Sequence, residues 1–201
     1  MSAGFSASEE IKGTDPDVLF DLGTAFGMKG QYDLAIGYFS RVIELSPKFS
    51  KAYNNRGIAY AAKGQYDKAV IDFNKAIQVD PMNAEAYSNR GVAYTAKGQY
   101  NKAIVDLTHA IKINPMYYEA YQNRGFAHFN KDQYDKAISD YNIAIKLNPQ
   151  FAMAYNNRAV AYFFKGDYGK AWDSVFTAQN LGYKINPEFL KALHKASGEE
   201  K

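Results

Sequence analysis

Four prolines, Pro47, Pro81, Pro115 and Pro149, stand 34 residues apart, and a chain that repeats at that step is built from copies of one small unit. The same step recurs in Tyr32, Tyr66, Tyr100, Tyr134 and Tyr168, and in the loop positions Gly30, Gly64, Gly98, Asp132 and Gly166. Whatever fold the chain adopts must therefore place equivalent residues of successive units in equivalent surroundings, so that function is read down columns of positions.

Within Ser50 to Asn83 the apolar and small residues Ala52, Tyr53, Gly57, Ala59 and Tyr60 follow three- and four-residue steps, which predicts a helix. Lys63-Gly64-Gln65 breaks it. Tyr66, Ala69, Val70, Phe73, Ala76 and Ile77 then predict a second helix, which ends at Asp80-Pro81 because a proline disfavours helical geometry in the residue before it. Two antiparallel helices per unit follow. Ala35, Ala69, Ala103, Ala137 and Ala171 are predicted where two helices approach closely, and Gly23, Gly57, Gly91 and Gly125 sit inside first helices, where close packing has to offset about 1 kcal/mol of helix propensity.

The segment from Ala52 to Pro81, AYNNRGIAYAAKGQYDKAVIDFNKAIQVDP, resembles the tetratricopeptide repeat family, with small residues and aromatics in register and Tyr53 where tryptophan is commonest. Aligned on that pattern, five units run over 16–49, 50–83, 84–117, 118–151 and 152–185. A polar tail, 1–15, precedes them. The first unit departs from the pattern at Leu19, Leu22 and Phe26, and the fifth at Ala159 and Tyr183. The resemblance implies an all-α fold, a right-handed α-solenoid or superhelix whose first helices line a concave face. Past Gly182, the cap and first-turn pair Asn186-Pro187 and the apolar stripe Phe189, Leu190, Ala192 and Leu193 predict a capping helix over 186–197, with a tail at 198–201.

On the concave face implied by the resemblance, the sixth position of each unit gives Asp21, Asn55, Asn89, Asn123 and Asn157. An asparagine amide offers an acceptor and two donors, which suits the backbone of an extended peptide irrespective of its sequence. This column resembles the asparagine ladder of the O-GlcNAc transferase superhelix. It also fits a solvated face repeated by duplication, and both readings stand. Apolar anchors are needed beside it, and the groove becomes aromatic toward the C-terminal half, from Ile58, Ala61, Ala62, Val92, Thr95 and Ala96 to Phe126, Phe129, Met153, Val160, Phe163 and Phe164. Phe163 and Phe164 have a second use, packing beneath the capping helix.

Arg56, Arg90, Arg124 and Arg158 form a neighbouring column, with Asp72, Asp106, Asp140 and Ser174 sixteen residues on, while the first unit replaces both members by Leu22 and Tyr38. Arginine and aspartate come and go together, which predicts ion pairs between the two helices of a unit and leaves Arg158 to meet a ligand carboxylate. Lys29, Lys63, Lys97, Lys131 and Lys165 end first helices, and Asp33, Asp67 and Asp135 open second helices, in agreement with the helix dipole.

Composition excludes several classes of function. No cysteine is present, which removes thiolate catalysis, thiolate metal sites and disulfides. The net charge of +3 names no polyanionic partner, so nucleic acid is a poorly supported ligand. His109, His128 and His194 occupy unrelated unit positions without metal-ligand or triad spacing. No enzyme activity, metal, cofactor or small-molecule substrate is expected. The family's carboxylate clamp for chaperone C-termini is incomplete, with Asn89 in place but Asn54, Ile58 and Glu119 at the other positions. No stretch predicts membrane insertion or a signal peptide, and a cytoplasmic location is the expectation. Two classes remain: an adaptor holding a protein or peptide partner through Asn55, Asn89, Asn123, Asn157, Phe126, Phe129, Met153, Phe163 and Phe164, and a self-associating scaffold or assembly factor, hence a homo-oligomer.

Overall fold

A computed structural model describes residues 14–198, and the tail assignments at 1–13 and 199–201 lie outside the described residues. Eleven α-helices and no strand occur among the described residues. They are α1 (Pro16–Met28), α2 (Tyr32–Leu45), α3 (Ser50–Ala62), α4 (Tyr66–Val79), α5 (Ala84–Ala96), α6 (Tyr100–Ile113), α7 (Tyr118–Phe129), α8 (Tyr134–Leu147), α9 (Ala152–Lys165), α10 (Tyr168–Asn180) and α11 (Pro187–Ser197).

The turns explain the periodic residues. First helices end in a left-handed residue, Gly166 at φ 82° after α9, a conformation that residues with a side chain rarely adopt. After α7 the position is held by Asp132 at φ 56°, one of the few other residue types that tolerate it. At the proline turns the side chains of Asp80, Asn114 and Asn148 accept from the amides of Met82, Met116 and Gln150, at 3.0, 3.1 and 3.1 Å, and so close an Asx-turn over the proline.

The chain divides into two compact units, Met1–Gly98 and Gln99–Lys201. In the first, α1 packs on α2, α2 on α3, α3 on α4 and α4 on α5, and the first helices α1, α3 and α5 lie side by side. In the second, α6 to α11 pack in chain order and α7 lies beside α9. Ala35, Ala69, Ala103, Ala137 and Ala171 are wholly buried, as close helix approach requires. Gly23, Gly57 and Gly125, inside first helices, face rings: a Cβ on Gly23 would lie 2.8 Å from Phe39, and one on Gly57 2.6 Å from Phe73. α11 closes the second unit, burying Leu193 and Ile185 with Ala159, Trp172, Val175 and Ala178.

Tyr141 is buried in the second unit, and burial, followed by the neighbouring Asp140 carboxylate, pushes its phenol far above the ordinary value. An acid whose folded pKa is raised keeps its full stabilising effect below the unfolded value and loses it as pH rises beyond that value. Urea midpoints measured at about pH 9 and about pH 11 should therefore fall more for wild type than for Tyr141→Phe, because the unfolded phenol ionises near pH 10. An equal fall in both would remove Tyr141 as the cause.

Candidate interaction surface

The arginines beside the asparagines are held the same way in each unit. Arg56 grips Asp72 through Nε and Nη2 at 2.7 and 2.8 Å, and its Nη1 donates to Ser40 Oγ of the preceding hairpin at 2.9 Å. Arg124 repeats the arrangement on Asp140 at 2.9 and 2.7 Å, with Thr108 at 3.2 Å. Both guanidinium pKa values are raised, first by the hydrogen bonds to these aspartates. Each arginine lies against the tyrosine three residues before it, Tyr53 or Tyr121, and Arg158 lies against Tyr155.

Arg158, expected to meet a ligand carboxylate, is held by neutral partners of this chain instead. Its Nε donates to Ser174 Oγ at 3.1 Å and its Nη1 to Asn142 Oδ1 at 2.7 Å. A hydroxyl and an amide from two hairpins thus replace the carboxylate.

A second set of links joins successive hairpins. Lys63 reaches Asp33, Lys97 reaches Asp67 and Lys165 reaches Asp135, each thirty residues upstream, and Lys131 meets Asn101 in the same way. These residues lie at helix ends, as the dipole argument expects, but they also tie neighbours together. The pairs are largely exposed, so each contributes at most about 1 kcal/mol.

The asparagines are half-buried on their first helices: Asn55 on α3, Asn89 on α5, Asn123 on α7 and Asn157 on α9. A row that sequence reasoning missed lies one residue earlier, with Asn54, Ser88 and Gln122 buried and Asn156 half-buried. Its signal was a polar residue at the fifth position of every later unit. Asn54 Oδ1 accepts from Asn89 Nδ2 at 3.0 Å, while Asn54 Nδ2 donates to Asn55 Oδ1 at 3.4 Å and to Glu85 Oε1 at 3.2 Å. In the second unit Asn156 Nδ2 donates to Asn157 Oδ1 at 3.2 Å. Asn54 and Asn156 thus use part of the hydrogen-bonding capacity of Asn55, Asn89 and Asn157. Gln122 Oε1 is buried without a hydrogen-bond partner.

The aromatic positions separate into two groups. Phe126 (43% exposed), Met153 (45%) and Phe164 (56%) present apolar surface to solvent. Phe129 and Phe163 are half-buried: Phe129 packs on the cluster of Ala137, Ile138, Tyr141 and Ala161, and Phe163 packs edge-on to Phe189 of α11, 5.6 Å between ring centres. Phe164 rests edge-on against Phe129 at 5.5 Å and stacks on Tyr134 at 5.8 Å, so two half-buried rings hold the exposed one in place.

The histidines are apart: His128 is buried with Nδ1 2.7 Å from Gln133 Oε1, His109 Nδ1 lies 3.0 Å from the Val105 carbonyl, and His194 lies on Trp172. Among the described residues no group of three histidine, aspartate or glutamate side chains could hold a metal ion, and no helix is long and apolar enough to cross a membrane.

Family models of the tetratricopeptide repeat match residues 17–48, 38–71, 59–97, 84–117, 118–151 and 141–173, which together run without a gap from residue 17 to residue 173. The chain belongs to the tetratricopeptide repeat family. Its all-α hairpins are therefore those of a tetratricopeptide protein, a protein-interaction module. A comparison with the curated proteins finds no match. Among solved structures the chain is similar to MamA, with 29% identity over 81% of this chain and 95% of that one and a TM-score of 0.72. It is also similar to YrrB, described as a TPR protein with an unusual peptide-binding site, at 23% identity over 92% and 93% with a TM-score of 0.68. PilW, described as a type IV pilus biogenesis factor, is 21% identical over 93% and 88% with a TM-score of 0.84.

Proposed function

We propose that this tetratricopeptide chain is a non-catalytic adaptor that holds an extended stretch of a protein partner along its first helices. The observation that carries the reading is the half-buried asparagine amide repeated at one position of the first helices within each unit, Asn55 and Asn89 in the first and Asn123 and Asn157 in the second, with Asn54 bonded to the first pair and Asn156 to Asn157. Neighbouring helices lie about 10 Å apart, and an extended chain advances about 3.4 Å per residue. One amide then serves about every third peptide residue. YrrB's described peptide-binding site is support of the same kind.

Amide bonds alone are too weak. At about 0.5 to 1.5 kcal/mol each, four of them barely meet the lower end of an association cost of about 4 to 15 kcal/mol. Phe126, Met153 and Phe164 supply the remainder by burying apolar surface, at about 1.5 to 3 kcal/mol for each side chain fully covered. Phe129 and Phe163 act beneath them as supports.

The test uses peptides selected from a random library on the wild-type chain. The quadruple variant Asn55→Ala, Asn89→Ala, Asn123→Ala, Asn157→Ala should bind them at least about tenfold more weakly, a loss of about 1.4 kcal/mol, measured at a temperature where its helical spectrum matches wild type, because Asn89→Ala also removes a hydrogen bond from the buried Asn54. The triple variant Phe126→Ala, Met153→Ala, Phe164→Ala should lose more. Unchanged affinity in both variants would remove the reading.

A further inference from the structure

On α6 the side chains of Lys102, Val105, His109 and Lys112 follow one another at i, i+3, i+7 and i+10, so they share one side of the helix, and all four are exposed. The buried side is carried by Ala103, Asp106, Leu107 and Ala110. That spacing is the seam by which one helix receives another. His109 is held in it, its Nδ1 donating to the Val105 carbonyl at 3.0 Å, and Val105 is 55% exposed. Lys102 and Lys112 stand at the two ends, about 15 Å apart at about 1.5 Å per residue.

The seam is basic, and α6 holds no exposed carboxylate to balance it. Its one acid, Asp106, is buried, and between residues 99 and 131 the only other is Glu119, half-buried on α7. By contrast Arg41 pairs with Glu44 on α2, Lys170 with Asp167 at the start of α10, and Lys191 with Glu188 on α11, at 2.9, 2.6 and 2.9 Å. The aliphatic residue is as selective as the charge. Its place is taken by Gly37 on α2, Ser139 on α8 and Asp173 on α10, residues that suit a face left to water. Among the second helices only α4 repeats the exposed aliphatic, with Ile71 between Lys68 and Lys75.

We infer that the α6 seam is a docking surface for an acidic amphipathic helix of a partner protein. Two carboxylates of that helix, about ten residues apart, lie over Lys102 and Lys112, with aliphatic side chains between them over Val105 and His109. Charge complementarity sets the ends, and Val105 sets the middle. Nucleic acid would use the lysines and leave Val105 without a role, and a bilayer would need a wider apolar face than this one side chain. Charge contacts exposed to salt and one aliphatic side chain make the docking weak and salt-sensitive. The seam lies on a second helix, so it acts beside the first-helix asparagines and not through them.

The test is selection on the full wild-type chain from a displayed library of helical peptides randomised at four positions of the same spacing, with depletion on the variant Lys102→Glu, Val105→Ser, Lys112→Glu. Selected peptides should carry aspartate or glutamate at the outer two positions and leucine, isoleucine or valine at the inner two. A synthetic peptide of that consensus should bind the double variant Lys102→Glu, Lys112→Glu at least about tenfold more weakly than wild type. The same peptide with lysine at its outer positions should prefer the double variant to wild type, which a folding defect would not produce. Val105→Ser, the residue α8 carries at that place, should weaken binding while the helical spectrum stays unchanged. Extended peptides selected for the asparagine column should bind these variants as they bind wild type; a parallel loss would merge the two surfaces and overturn the inference. Selection without an acidic consensus, a charge swap without recovery, or unaltered binding by Val105→Ser would overturn it as well. So would capture of the chain by phosphatidylserine vesicles with no helical peptide selected, which would assign the seam to a membrane surface.

Discussion

Asp140→Ala should cost about 3 kcal/mol of stability, because it leaves the Arg124 guanidinium largely buried with only Thr108 Oγ1 as a side-chain hydrogen-bond partner. Trp172, the single tryptophan, lies in the same unit, so its fluorescence in a urea titration reports the loss. The chain itself supplies two controls. The fifth repeat replaces the carboxylate with Ser174, which keeps a 3.1 Å bond to Arg158, so Asp140→Ser should cost less than Asp140→Ala. The first repeat replaces both partners, Leu22 standing in the arginine position and Tyr38 in the aspartate position, where Tyr38 stacks on Phe26 at 5.2 Å. Arg124→Leu with Asp140→Tyr should then recover most of the loss. A double variant as unstable as the sum of its parts would show that the pair is not interchangeable.

The second large effect is steric. A Cβ on Gly125 would lie 2.7 Å from Cε1 of Tyr141 and 3.2 Å from the Ala137 carbonyl oxygen, and the buried ring cannot retreat. Gly125→Val should therefore cost about 3 kcal/mol, overpacking outweighing the better helix propensity of a residue with a side chain. The fifth repeat shows the compensation: Ala159 occupies the glycine position and Val175 the ring position, both wholly buried. Gly125→Ala combined with Tyr141→Val should be more stable than the two single changes predict, by about 1 kcal/mol or more in a double-mutant cycle. Strict additivity would mean that the two positions do not share space.

The positions behind these two predictions also separate what could be read from the sequence and what could not. The helices, the breaks at Gly64 and Asp80-Pro81, and the sixteen-residue link between arginine and aspartate are visible as periods within one unit. Contacts between units depend on how one hairpin is offset against the next, which no single period contains. For that reason the reach of Arg124 to Thr108, the tie of Lys63 to Asp33 and the bond of Asn89 to Asn54 emerge only from coordinates. Arg158 was expected to await a carboxylate because its aspartate is missing; Ser174 together with Asn142 of the preceding hairpin fills the gap. Phe129, Phe163 and Phe164 look alike in sequence because a packing ring and a binding ring obey the same helical spacing. Only their neighbours separate them: Phe163 sits against Phe189 of α11, and Phe164 remains largely exposed.

The central claim is that partners lie on the first-helix amide column, and the most direct measurement follows the asparagine side-chain NH2 resonances during titration with a library-selected peptide. The account predicts that the signals of Asn55, Asn89, Asn123 and Asn157 move together and saturate with the peptide. Silence at these four amides, with the largest shifts instead around the exposed second-helix residues Ile71 and Val105, would contradict it.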